Sequence, residues 1–203
     1  NLSINSLKNK LVESYKKKKL PKLLIVVHLA GNPCDMKEIN SLSRKYGFKV
    51  IEDASHALGS ISDKSKIGSC KYSDFTIFSF HPVKMITTGE GGSLHTNKRR
   101  HYLNAKSLRS HGIDKDVKSK ITNKKESWYY EQNLLGFNFR MSDINAALGK
   151  SQLKKINLFI KKRNQIASFY NKAFLNNNFI QTQSINANDI CSYHLFVILI
   201  KKN

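Results

Sequence analysis

Hydrophobic positions along this chain follow two rhythms. Leu23 to Val27 are five consecutive apolar residues after Pro21, a pattern that predicts a strand buried on both faces. The segment "GNPCD" then reads as a turn. In "DMKEINSLSRKYG" the apolar residues Met36, Ile39, Leu42 and Tyr46 recur on one side of a helix. Asp35 is placed to cap it with Glu38 three residues on, and Gly47 is placed to stop it. "FKVIED" is a second strand. A strand, a helix and a strand within about thirty residues make a βαβ unit, so a parallel sheet with a right-handed crossover is expected. Further on, "DFTIFSF" predicts a third strand, "GGSLHTN" a short one, and Lys98 to Ser110 a helix. Residues 112 to 133 are polar and irregular, as in an exposed loop or a subunit contact. From Ser142 the helical rhythm returns through Ile144, Ala147 and Leu148. After Gly149 it runs through Leu153, Ile156, Ile160, Ala167, Tyr170 and Phe174. "HLFVILI" closes the chain as a strand. Alternating helices and strands define an α/β class.

Composition narrows the picture. The formal net charge is +21, from 35 Lys and Arg against 14 Asp and Glu. The basic residues are spread along the chain without interleaved aromatics, and no nucleic-acid motif accompanies them. The charge is therefore read as a property of a solvated surface, and a nucleic-acid partner is not expected. No apolar run is long enough to cross a bilayer, and the start "NLSINSLKNK" lacks the apolar core of a signal peptide. Cys34, Cys70 and Cys191 are scattered, with no CxxC pair and no zinc spacing. A reducing, cytoplasmic setting and no metal site are expected. The first residue is Asn rather than Met, and the chain reads as a fragment of a longer protein or a truncated gene product.

In open parallel sheets, ligands bind beyond the carboxyl ends of the strands. Two stretches put reactive groups there. "IEDASHA" brings Asp53 and His56, and "FSFHPVK" brings Ser79, His81 and Lys84. A desolvated lysine can bind an aldehyde covalently. A carboxylate on a neighbouring strand can hold a pyridine nitrogen protonated, a hydroxyl can bind a phosphate, and an imidazole can bond a ring hydroxyl. That is the set of groups pyridoxal phosphate requires. Each residue taken alone has an ordinary reading as a cap, a structural histidine or a solvated lysine. Gly89, Gly91 and Gly92 read as turn residues needing unusual backbone angles rather than as a phosphate loop.

Five stretches in this order, "VIEDASHALGS", "SDFTIFSFHPVK", "TTGEGGSLHTN", "RSHG" and "GFNFRMSDINAALGKSQL", resemble the DegT/DnrJ/StrS family of sugar-nucleotide aminotransferases. The resemblance covers about Leu20 to Phe196 and implies a fold-type I, aspartate aminotransferase-like α/β domain, truncated at both ends. Residues 1–141 would be part of the large cofactor domain, and 142–203 the connecting helices and the start of a small one. It implies pyridoxal 5'-phosphate as cofactor, with Lys84 bound to it and moving the proton. Asp53 would pair with the ring nitrogen, His56 lie near the ring hydroxyl, and Ser79 contact the phosphate. Asn138 would reach the neighbouring subunit's site in a homodimer, contacting cofactor and substrate. Relatives with a histidine in place of the lysine are dehydratases, and Lys84 argues against that. "FSFHPVK" before "ITTGEGG" is most similar to members of the pseudaminic acid pathway. There the substrate is a UDP-linked 4-keto-6-deoxy sugar and the amino donor is glutamate, with His81 among the substrate contacts. The alternatives are a perosamine- or aminoarabinose-type keto sugar, or a non-catalytic remnant of the fold.

Overall fold

A computed structural model describes residues 1–115 and 117–201. In chain order the elements are α1 (Ile4–Lys16), β1 (Leu23–Val27), α2 (Met36–Tyr46), β2 (Lys49–Asp53), β3 (Ile61–Ser62), β4 (Ser65–Lys66), β5 (Phe75–Ser79) and β6 (Gly92–His95). There follow α3 (Arg99–Arg109), β7 (Ile113–Asp114), β8 (Glu131–Gln132), α4 (Asp143–Leu153), α5 (Ile156–Ala173), β9 (Ile180–Thr182) and β10 (Ile198–Ile200). The central sheet has the order β1-β2-β5-β6. β1, β2 and β5 run parallel, as the βαβ pattern predicts, and β6 returns antiparallel to β5.

The predicted helix α2 forms with its predicted caps. Asp35 accepts from the Glu38 N–H at 3.1 Å, and Gly47 ends the helix in the left-handed region at φ 78°. Met36, Ile39 and Leu42 are buried against Val26, Val50 and Phe48. α1, which was not predicted, covers the same core with Leu7 and Leu11, its first turn capped by Ser3. Its apolar residues were masked by the lysines between them.

Several expectations need correction. β1 is not buried on both faces. Leu24 and Val26 face the helices, whereas Leu23, Ile25 and Val27 are 45%, 58% and 43% exposed on the other face. Gly92 needs no unusual backbone angle. It opens β6, and its lack of a side chain matters because a Cβ there would sit 2.6 Å from the Phe78 carbonyl oxygen. Gly89 and Gly91 do have positive φ, 80° and 153°. α4 continues through Gly149, and Ile144 is 83% exposed. The closing strand is short, exposed and antiparallel to β9, with His194 lying ahead of it.

Candidate functional site

Successive strand residues point to opposite faces, and this decides which side chains gather. Asp53 is in register with Ile77 on β5, so Asp53 and Ser79 share one face at the carboxyl ends of adjacent parallel strands. Glu52 points through the other face. It is buried, accepting from Ser73 Oγ, from Thr76 Oγ1 at 3.0 Å and facing His28 Nε2 at 3.0 Å. Burial opposes its charge, yet hydrogen bonds from His28 and Ser73 win and lower its pKa. Burial disfavours a charged His28, while Glu52 draws it toward the imidazolium. The Cys34 N–H aimed at Nδ1 at 3.0 Å requires a lone pair there. We therefore assign the neutral ring with its proton on Nε2. This buried network ties β1, β2 and β5 together directly behind Asp53.

Lys84 is placed by the loop after β5. The Phe80 N–H donates to Gly91 O at 2.9 Å, and Thr88 N–H donates back to Phe80 O at 3.0 Å, closing the loop at its neck. Met85 and Ile86, each 4% exposed, anchor it from inside. The Lys84 N–H bonds His81 O at 2.9 Å in a turn, and the side chain stays half-buried. α4 packs on this loop through Gly149, where a Cβ would meet Thr88 Cγ2 at 2.6 Å.

The electrostatics join the two strand ends. Burial and the Lys84 charge lower the pKa of His56, while Asp53 opposes them. His56 Nδ1 accepts the Ala30 N–H at 3.3 Å, which leaves its proton on Nε2. Asp53 Oδ1 accepts from the Ser55 N–H at 3.0 Å, and among the described residues no donor meets its other oxygen. Among the described residues Lys84 Nζ has no hydrogen bond or ion pair. An acid oxygen and an amine are thus left unspent around one imidazole, a donor set that suits pyridoxal phosphate. Ser79 Oγ accepts from the His81 N–H at 3.3 Å, its one hydrogen bond among the described residues. His81 is exposed. Asn138 stands apart: it is exposed and bridges Ser110 beyond α3, with no hydrogen bond to Lys84. Among the described residues no group of three His, Cys, Asp or Glu side chains could hold a metal ion, and no helix is long and apolar enough to cross a membrane.

Sequence reasoning missed His194. Its ring lies 4.5 Å from that of His56, centroid to centroid, although 138 positions separate them in the chain. Nothing local marked it. Glu52 was missed as well, although the alternation that sends Asp53 to one face of β2 sends Glu52 to the other.

Comparison with known proteins gives the family and the fold. The model of the DegT/DnrJ/EryC1/StrS aminotransferase family matches residues 3–203. A UDP-4-amino-4,6-dideoxy-N-acetyl-beta-L-altrosamine transaminase of Campylobacter jejuni is 44% identical over 86% of this chain and 44% of its own. A solved Helicobacter pylori aminotransferase of pseudoaminic acid biosynthesis superposes with a TM-score of 0.81 at 33% identity, covering 91% of this chain and 46% of that one. An Escherichia coli GDP-4-keto-6-deoxy-D-mannose-3-dehydratase, solved with hydrated pyridoxal phosphate, gives a TM-score of 0.85 at 26% identity over 100% of this chain and 51% of its own. The chain spans about half the length of the relatives it matches. Its architecture is that part of the fold-type I transferases.

Proposed function

Because the chain belongs to the DegT/DnrJ/EryC1/StrS aminotransferase family, we propose that its protein transfers an amino group from glutamate to a nucleotide-linked 4-keto-6-deoxy sugar. A UDP-linked sugar on a route to a pseudaminic-type amino sugar is favoured by the 44% identity to the Campylobacter enzyme. The observation that carries the reading is that Asp53 and Ser79 share one face at the carboxyl ends of β2 and β5, with the Lys84 and Asp53 charges both acting on His56.

Pyridoxal phosphate, when bound, supplies an electron-withdrawing ring that stabilises negative charge at the carbon losing its proton. The chain's own residues do the rest. Asp53, with one oxygen held by the Ser55 N–H, offers the other to the ring nitrogen and keeps it protonated. His56, its Nδ1 occupied by Ala30, donates from Nε2 to the ring hydroxyl. Ser79 donates its hydroxyl to the phosphate. The Lys84 amine would hold the cofactor and would serve as base and acid, taking the proton from the donor carbon and later returning one to the sugar carbon. His81 and Asn138 are assigned to the substrate. Asn138 also approaches the cofactor across a homodimer interface, with residues 1–141 and 142–203 as the two domain parts.

Two measurements test this. The purified protein with pyridoxal phosphate is expected to absorb visible light, the band vanishing on borohydride treatment and in Lys84→Ala. A colourless wild-type protein at saturating cofactor overturns the reading. Incubation with glutamate and UDP- or dTDP-4-keto sugars is expected to release 2-oxoglutarate with the UDP sugar; turnover only with another sugar corrects the substrate.

A further inference from the structure

The segment Cys191–His194 is strapped to the loops beneath it. Ser192 Oγ donates to His56 O at 2.9 Å, Ser192 N–H donates to Ser60 Oγ at 3.1 Å, and Ser60 Oγ donates to Gly31 O at 2.7 Å. From α5, Asn164 Nδ2 donates to Cys191 O at 2.9 Å, and Arg163 Nη1 donates to the Tyr193 and His194 carbonyls at 3.0 and 3.1 Å. Tyr193 sits in the left-handed region at φ 48°, a strain that persists where surroundings over-determine the backbone. The result is a ring held on His56, only 8% exposed. Its Nδ1 is buried without a partner, and no hydrogen bond joins its Nε2 to the protein among the described residues.

We propose that His194 is a ligand-binding residue of this site: neutral in the free protein, it takes one carboxylate of the amino-acid donor and gains a proton from solvent in doing so. The assignment rests on the aminotransferase reading. The charged and titratable groups acting on His194 are His56 from the loop after β2, Lys84 from the loop after β5, and Arg163 from α5. None is acidic, and Asp53 acts on His56 rather than on His194. Burial, with those neighbours, holds the ring's pKa down to about 4. A buried ring nitrogen without a partner is destabilising. A carboxylate bonded to the ring meets the positive charges of Lys84 and Arg163, which a sugar hydroxyl would not exploit.

Glutarate, a dicarboxylate with no amino group to transfer, is the probe. Titration calorimetry at about pH 6, below the ordinary histidine pKa, in buffers of different ionisation enthalpy is expected to show proton uptake by the wild-type protein. His194→Gln is expected to bind roughly tenfold or more weakly, the loss of a charged hydrogen bond, and to take up less, while keeping visible cofactor absorbance. Unchanged affinity and uptake overturn the proposal. If the variant does not fold, the ring ¹⁵N signals of wild-type His194 decide: a ring that stays neutral at saturating glutarate overturns it. A yellow protein whose glutarate binding ignores His194 sinks this assignment alone. A colourless protein that binds glutarate through His194 sinks the aminotransferase reading alone.

Discussion

At the scale of single residues, the neighbours Glu52 and Asp53 divide two duties. Alternation sends Glu52 into a buried network and Asp53 toward the candidate site. In Glu52→Gln the amide must either turn its NH₂ toward His28 Nε2–H, or turn it toward the Ser73 and Thr76 hydroxyls. His28 cannot change tautomer without losing the Cys34 N–H. Hydrogen bonds to a charged acceptor are replaced by bonds to a neutral amide, a loss of roughly 1.5–3 kcal/mol, and urea denaturation is expected to show it. The pH dependence has two stages. The folded pKa of His194, about 4, lies below its ordinary value of 6.5. The unfolded chain therefore binds more protons, and stability falls as pH drops from about 6.5 toward 4. The pKa of Glu52 is lowered, so its contribution is present above its ordinary value and is lost as pH falls through the folded one. His194→Gln is expected to shrink the upper stage, to which His56 and His95, also lowered by burial, contribute with the same sign, and to leave the lower. Urea midpoints measured across this range that show no upper stage in the wild type would contradict it.

At the scale of elements, the strap and the sheet make contrasting demands. Gly31 has φ 89°, and a Cβ there would collide with Ser192 Oγ and approach His56 O to 2.9 Å. Gly31→Ala is expected to cost more than the roughly 1 kcal/mol of a left-handed alanine, and to loosen His56 with it. The readouts are a lowered melting temperature and weakened cofactor absorbance. In β1, Val26 is 1% exposed and Ile25 58%. Val26→Ala is expected to cost roughly 1–3 kcal/mol and Ile25→Ala well under that. Sequence alone read the first strand, α2 with both caps, and the two strand ends carrying Asp53 and Lys84, because local periodicity and turn chemistry determine these. It overestimated the burial of β1, since five apolar residues in a row look alike whether one face or both are covered. It missed the placement of His194, because that depends on Ser192, Asn164 and Arg163 meeting from distant parts of the chain.

At the scale of the whole molecule, the segment around Asn138 presents apolar side chains outward on a fixed backbone. Phe137 and Phe139 stack on each other at 4.8 Å and are 56% and 70% exposed, beside Leu135 at 89%. The backbone beneath them is held by Phe137 N–H to Leu108 O at 2.7 Å and Phe139 N–H to Arg109 O at 2.9 Å. Rigid exposed aromatics are characteristic of interfaces. The homodimer proposed above puts a second copy of the chain on this patch. If the site is built across two subunits, two differently damaged subunits must repair each other. Lys84→Ala and Asn138→Ala are each expected to be inactive. In a heterodimer, the intact Lys84 of one subunit meets the intact Asn138 of the other. Random exchange in a closed two-fold dimer makes half the molecules mixed, each with one complete site, so about a quarter of wild-type activity is expected to return. Chains of net charge +21 repel one another, so exchange is done at physiological ionic strength, where that repulsion is screened beyond about 8 Å. Phe139→Asp is expected to abolish both exchange and the dimer in sedimentation. A mixture that regains nothing while the subunits demonstrably exchange would return Asn138 to its own chain.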